Sequence, residues 1–147
     1  MSQILDIREN TVKISMPQAE HIRKVSLSLE CMGGVKDKSV AIVVRAWDAE
    51  GISVIDSCKG VYFSNALQER FAYCPETPSG EFSKPVNLEF DLPAAEVTFQ
   101  LFAWPGSEPV PADIFGGSLL FVESSGSAFE YASSRTRILT SEGRKIA

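Results

Sequence analysis

The most apolar stretch of the chain runs from Val40 to Ala46 and is interrupted only by Arg45. It is rich in β-branched side chains, and such a run is typical of a central strand that is covered on both faces. The run ends at residues 48–51, where an acidic pair and a glycine favour a tight turn. A second apolar run, Ile52 to Ile55, follows directly. We therefore predict that a hairpin around Gly51 forms the centre of the fold.

Alternating apolar and polar positions predict further strands throughout the chain. Three are clear: Val25–Cys31, Val86–Leu92 and Glu96–Trp104. In the third, parity places Gln100, Phe102 and Trp104 on one face. Shorter candidate strands are Ile4–Ile7, Thr11–Ser15, Val61–Phe63, Phe71–Cys74, Gly117–Glu123, Ala128–Ala132 and Thr136–Leu139.

The remaining segments are read as turns and loops. Pro17–Lys24 is expected to form a loop or a single helical turn, and Ser64–Arg70 a single helical turn that is capped by Ser64. Prolines mark Pro75–Pro85 and Trp104–Gly116 as surface loops. Nine or ten short strands without a long helix predict an all-β, jelly-roll-like antiparallel β-sandwich. We expect one domain over residues 1–139 and a polar, frayed tail over residues 140–147.

Net charge and the length of the apolar runs argue against two classes of partner, while chain length and hydrophobic content indicate one globular domain. A chain of 147 residues suits one domain, and a hydrophobic content of 44% is that of a globular protein. The formal net charge of −5 lacks the basic footprint that nucleic acid selects. No apolar run approaches the roughly 20 residues needed to span a bilayer. We therefore expect neither nucleic acid nor membrane as a partner.

Cysteine usage and the N-terminus both favour the cytoplasm. Cys31, Cys58 and Cys74 are odd in number and have no CxxC spacing, which argues against a disulfide framework and a zinc site. We expect buried, reduced thiols. The first residues contain neither a basic segment nor a long apolar one, so no signal peptide is predicted and a cytoplasmic location is expected.

Three segments resemble the galactose-binding-like β-sandwiches, a group that includes many carbohydrate-binding modules. They are the alternating strand Val25–Glu30, the strand and turn Arg45–Gly51, and Phe90–Val97 with the strand that leads to Trp104. The resemblance implies a jelly roll of two antiparallel sheets, often attached to a glycosyl-processing enzyme. Many such modules hold a structural calcium, but its ligands match no residues here. We predict no cofactor and leave calcium open.

Six residues are candidates for binding a sugar. A sugar site combines a flat aromatic face with planar hydrogen-bonding groups at its edge. Strand parity pairs Arg45 with Trp47, and Gln100 with Trp104; if both pairs lie on one sheet face, they form a platform. Further aromatic candidates with polar tips are Tyr62 and Tyr73. Alternatively, the aromatics pack in the core or at an edge, and Arg45 forms a salt bridge with Glu30 or Asp48.

The case for catalysis or a metal is weaker. His21 is the only histidine, and no nucleophile-elbow or phosphate-binding motif is present. We therefore predict that the chain is not an enzyme; a carboxylate pair or His21 in a pocket would argue otherwise. The loop acids are best explained as solvated turn residues rather than calcium ligands, and they are Asp48, Glu50, Glu108 and Asp113.

The predicted function is that of a non-catalytic carbohydrate-binding module that stacks a glycan on aromatic side chains. Weak binding would then need avidity or a linked or docked enzyme domain. The alternative is a protein-interaction or oligomerisation accessory domain of a larger glycosyltransferase-like protein, including a homo-oligomer. For that function the candidate apolar patch consists of Phe102, Trp104, Val110, Ile114 and Phe115.

Overall fold

The computed structural model describes residues 5–8, 10–16, 21–31, 39–66, 68–74, 82–104, 108–110, 119–124, 127–132 and 144–145. These residues form twelve strands and one 3₁₀ turn, Ile55–Ser57. The strands are β1 (Leu5–Arg8), β2 (Thr11–Ser15), β3 (Ile22–Cys31), β4 (Ser39–Trp47), β5 (Cys58–Lys59), β6 (Tyr62–Ser64), β7 (Glu69–Cys74), β8 (Phe82–Ala94), β9 (Glu96–Trp104), β10 (Leu119–Ser124), β11 (Ser127–Ala132) and β12 (Arg144–Lys145). No helix within these ranges is long and apolar enough to cross a membrane.

The strands form two six-stranded sheets. The first has the order β1-β2-β9-β4-β7-β6, and the second has the order β12-β11-β10-β3-β8-β5. Every pair of neighbouring strands is antiparallel. The predicted all-β sandwich is therefore confirmed, while its jelly-roll connectivity stays a prediction.

One hydrophobic core lies between the two sheets. Phe99, Ile42 and Ile14 of the first sheet and Ile22 and Leu27 of the second are each at most 1% exposed and belong to the same cluster. Burying a side chain of this size contributes about 1.5–3 kcal/mol. Burial alternates strictly along β9, which confirms the predicted parity of that strand.

Strand β4 is the most deeply covered strand of the first sheet. All five residues from Val40 to Val44 are at most 2% exposed. Ile42 and Val44 belong to the core cluster, whereas Ala41 and Val43 lie on the opposite face. Larger neighbours on β9 and β7 flank that face, so the prediction of a central strand covered on both faces is confirmed.

The predicted hairpin around Gly51 forms only as a short reversal, because no strand extends over Ile52–Ile55 and the centre of the first sheet is β4 between β9 and β7. A tight turn is present, because Asp48 Oδ1 accepts hydrogen bonds from the backbone N–H groups of Glu50 and Ile52, both at 2.9 Å. Trp47 and Ser53 then form an antiparallel bridge, and the backbone N–H of Val54 donates to the carbonyl oxygen of Ala46 at 3.0 Å. Strand β7 pairs only with residues 40–44 of β4, so this reversal uses the edge beside residues 46–47 before the chain enters the 3₁₀ turn Ile55–Ser57.

Three further boundaries differ from prediction. Strand β3 begins at Ile22, inside the expected Pro17–Lys24 loop, and β8 begins at Phe82, inside the expected Pro75–Pro85 loop. The helical turn expected over Ser64–Arg70 is wrong at both of its ends, because Ser64 ends β6 and Glu69 begins β7. Between these strands, Gln68 has a φ of +57° and donates its backbone N–H to the Ser64 carbonyl oxygen at 2.7 Å. In each case pairing with a neighbouring strand outweighs local polarity.

The ends of the second sheet contain one unexpected element. Arg144 and Lys145, within the segment expected to fray, pair with Glu130 and Phe129 of β11. The candidate strand Thr136–Leu139 lies outside the described residues.

Gly60 stands where the chain passes from the second sheet back to the first. Its φ is +108°, and a Cβ at this position would collide with the backbone carbonyl oxygen of Asn87 on β8. Gly51 also has a positive φ, +81°, but a Cβ there would meet nothing within 4 Å. A side chain at position 51 would therefore introduce backbone strain alone, whereas a side chain at position 60 would introduce both strain and steric overlap.

We expect Gly60→Ala to lower the free energy of unfolding by about 3 kcal/mol, since strain costs about 1–2 kcal/mol and overlap about 1–3 kcal/mol. Gly51→Ala, the matched control, should cost about 1 kcal/mol because only strain applies. Urea unfolding of the three proteins measures both values. Equal losses at the two positions would show that the approach to Asn87 is not restrictive.

Candidate functional site

All six predicted binding residues lie on the outer face of the first sheet. The β4–β9 register sets Ser39 opposite Trp104, Val43 opposite Gln100 and Arg45 opposite Thr98, and strand alternation adds Trp47 to this face. On the other side of β4, Ala41 lies opposite Tyr73, and Phe71 pairs with Tyr62. We call this surface the aromatic face; its members are Trp47, Trp104, Arg45, Gln100, Tyr62, Tyr73, Phe71 and Phe102.

A pocket of about 120 Å³ opens on the aromatic face. Its lining consists of Ala41, Ser64, Phe71, Tyr73 and Trp104. Ala41 comes from the centre of the sheet and is 2% exposed, whereas the Tyr73 side chain is 44% exposed. A small residue on β4 between larger residues on β9 and β7 thus produces a depression with aromatic sides.

One hydrogen bond fixes the polar end of the pocket. It joins Ser39 Oγ and Tyr73 Oη across β4 and β7 at 2.6 Å. Ser39 is 7% exposed, so the phenol is held from below by a buried hydroxyl. The Tyr73 oxygen retains hydrogen-bonding capacity beyond this contact, because a hydroxyl has one donor and two acceptor sites.

On the aromatic face, Arg45 of β4 forms hydrogen bonds with residues of both neighbouring strands, β7 and β9. Its Nε and Nη2 donate to Glu69 Oε1 at 3.2 and 3.0 Å, and its Nη1 donates to Gln100 Oε1 at 2.9 Å. Its partner is therefore Glu69 rather than Glu30 or Asp48. Because the arginine and glutamate side chains are 36% and 33% exposed, the ion pair is worth less than about 1 kcal/mol.

The two tryptophans lie on the same face but at opposite ends of it. Trp104 is opposite Ser39, and Trp47 lies eight positions further along β4. At roughly 3.3 Å per residue, this separates them by roughly 26 Å. They do not form one platform, and only Trp104 lines the pocket.

Sequence reasoning missed three lining residues and one ion-pair partner. Phe71 could have been predicted, because it lies two positions from Tyr73 in the same predicted strand and therefore shares its face. Ala41, Ser64 and Glu69 gave no such signal, because their positions depend on which strands become neighbours. The assignment of Ser64 and Glu69 to a helical turn also concealed their strand pairing.

The outer face of the second sheet has a different character. Lys24 lies opposite Glu89, which in turn lies opposite Lys59, and all three are exposed. Ser26 and Asn87 form the adjacent polar pair. Alternating charges of this kind are solvated, so these residues of the second sheet offer no aromatic platform comparable to the pocket.

The remaining candidates that the structure describes do not line the pocket. His21 is half-buried just before β3, in the second sheet. Within the described ranges, no group of histidine, cysteine and acidic side chains is arranged to hold a metal ion. Val110 is 3% exposed and belongs to the core, which removes it from the expected apolar patch. Asp113, Ile114 and Phe115 lie outside the described residues.

Cys58 is a buried free thiol on β5, as predicted. Burial raises its pKa from 9.0 to about 11, and the opposing effects of a backbone hydrogen bond and of Arg70 are smaller. The thiol is therefore protonated at neutral pH and is a poor nucleophile.

This pKa predicts that alkaline pH destabilises the protein through Cys58. Below pH 9.0 the thiol is neutral in both states, and its contribution is fully present; above that pH the unfolded chain ionises first, and the contribution is lost through pH 11. We expect wild type to lose about 1 kcal/mol more than Cys58→Ala between pH 8 and pH 10. Urea unfolding at both pH values measures the difference, and parallel profiles would contradict the prediction.

Comparisons with known proteins add no functional assignment. No protein-family model matches the chain, and no curated protein or solved structure matches it either. A function for this chain is therefore inferred from the geometry and chemistry of the aromatic face.

Proposed function

We propose that the chain is a non-catalytic carbohydrate-binding module and that the pocket of the aromatic face holds one sugar unit. The observation that carries the proposal is the enclosure of a 120 Å³ pocket by Phe71, Tyr73 and Trp104 on a sheet face. A pyranose ring has an apolar C–H face and a rim of hydroxyl groups. Aromatic sides and a few placed hydroxyls are complementary to both parts.

The polar part of the pocket comes from hydroxyl groups. Tyr73 Oη and Ser64 both border the space, and the bond from Ser39 orients the phenol. An oriented hydroxyl loses less freedom when it binds a ligand, which reduces the entropic cost of binding. Tyr73 therefore supplies a stacking surface and a fixed hydrogen-bonding group together.

This geometry revises the roles of the predicted residues. Trp104 and Tyr73 contact the sugar, and Tyr62 stands beside the pocket residue Phe71. Arg45 and Gln100 are hydrogen-bonded to each other, and neither residue lines the pocket. Trp47 lies outside the site.

The expected affinity is low. A hexose has about 12 non-hydrogen atoms, and at about 0.3–0.4 kcal/mol per atom the binding free energy is about −4 to −5 kcal/mol, or a Kd of about 0.2–1 mM. A module of this strength works through repeated units or through attachment to a partner. We include in the proposal a linked or docked glycosyl-processing enzyme and the cytoplasmic location expected from the sequence.

A protein-interaction or oligomerisation domain is the second candidate function. The observation that favours it is the high exposure of two tyrosines on the aromatic face. Tyr62 is 73% exposed, and Tyr73 is 44% exposed. Exposed tyrosines are enriched in protein interfaces. This function would use the same surface without requiring the pocket.

A titration of methyl hexosides tests the proposal. We expect Trp104→Ala to weaken binding by about tenfold, because it removes the indole face against which the apolar side of the sugar ring packs. Tyr73→Phe retains the ring and should weaken binding by about three- to tenfold through the lost hydroxyl. Isothermal titration calorimetry measures each Kd, and circular dichroism verifies the fold of each variant.

Trp47→Ala is the matched control for this titration. It removes the other tryptophan from the same face of the sheet and should leave the Kd unchanged. Equal losses for both tryptophan variants would contradict the assigned site. If the folded wild type binds no hexoside, the proposal fails, and the mass of the protein in solution becomes the test of the oligomerisation alternative.

A further inference from the structure

We infer that the pocket selects an uncharged sugar unit over its carboxylated counterpart and that Glu69 is the residue that determines this selectivity. The inference rests on the proposed function and adds the class of sugar. It concerns the difference between a hexose and the matching hexuronic acid, which carries a carboxylate at C6. The distribution of charge around the pocket supports this selectivity.

The described lining contains no charged side chain: it consists of aromatic rings, hydroxyls and one methyl group. An anion in such a pocket would lose hydration without gaining a cationic partner, and this is costly. The whole chain has a net charge of −5, which adds an unfavourable long-range field for any anion.

The arginine near the pocket is already neutralised. Arg45 donates two hydrogen bonds to Glu69 Oε1 and one to Gln100, so its guanidinium is engaged on both sides of β4. It offers no unshared charge that would attract a carboxylate. In a site that binds phosphate or carboxylate, the N–H groups of such a guanidinium would instead point at the ligand.

Glu69 itself lies next to the pocket. In the β6–β7 register it is directly opposite the lining residue Ser64, and along β7 it is two positions from Phe71, on the same face. A carboxylate on the sugar would therefore meet a like charge at this edge. Repulsion from Glu69 and the neutralisation of Arg45 both act against an anionic ligand.

The test uses matched pairs of methyl hexosides and methyl hexuronosides. For wild type we expect the hexoside to bind about tenfold more tightly than its hexuronoside, because the carboxylate is desolvated without a partner. In Glu69→Gln the hexuronoside should gain about three- to fivefold while the hexoside is unchanged, because Arg45 then has no anionic partner. Salt at 0.5 M should reduce this gain.

Glu96→Gln is the matched control. It also removes one negative charge from this sheet, and it breaks the Lys13–Glu96 ion pair, whose side chains have a similar exposure of 47% and 34%. Glu96 lies opposite Trp47, at the end of the face remote from the pocket. We expect both ligands to keep their wild-type affinities in this variant.

The outcomes separate the two proposals. Hexuronosides that bind wild type as tightly as hexosides overturn the selectivity and leave carbohydrate binding intact. A gain of hexuronoside affinity in both glutamate variants assigns the effect to net charge and overturns the role of Glu69. Binding of neither sugar class overturns the proposed function and the selectivity together.

Discussion

The structure depends on one strand that is buried on both of its faces. Strand β4 pairs with β9 on one side and with β7 on the other, so its backbone groups are satisfied along most of its length. Its inner residues, such as Ile42 and Val44, help to form the core between the sheets. Its outer residues, Ala41 and Val43, are just as inaccessible, although they face away from the core.

The small size of these outer residues links the fold to the candidate site. A bulky side chain at position 41 would fill the space that Phe71, Tyr73 and Trp104 now enclose. The alternation of side chains along β4 therefore contributes to two surfaces: Ile42 and Val44 pack in the core of the sandwich, while Ala41 on the opposite face forms the floor of the pocket. The edge of the pocket is defined by strand pairing, which brings Ser64 and Glu69 together.

The sequence predicted what depends on local periodicity. The parity of β9 and the apolar run of β4 indicated which residues share a face, and all six candidate residues do lie on the aromatic face. The sequence did not predict which strands become neighbours. For that reason it paired Arg45 with Glu30 or Asp48 instead of Glu69. It also placed Trp47 and Trp104 on one platform, although Trp47 ends β4 and Trp104 of β9 lies opposite Ser39, at the other end of the aromatic face. The hairpin predicted at Gly51 is shortened for the same reason, because the turn signal predicts the reversal but contains no information about how far Ile52–Ile55 can pair beside β7.

The most direct test of the central claim is a nitrogen-proton correlation spectrum recorded during a titration with methyl hexosides. The chain contains two tryptophans, so the two indole N–H signals report separately on the two ends of the aromatic face. The account predicts a saturable shift of the Trp104 signal while the Trp47 signal stays in place. A shift of Trp47 alone, or the absence of any shift at hexoside concentrations well above 1 mM, would contradict it.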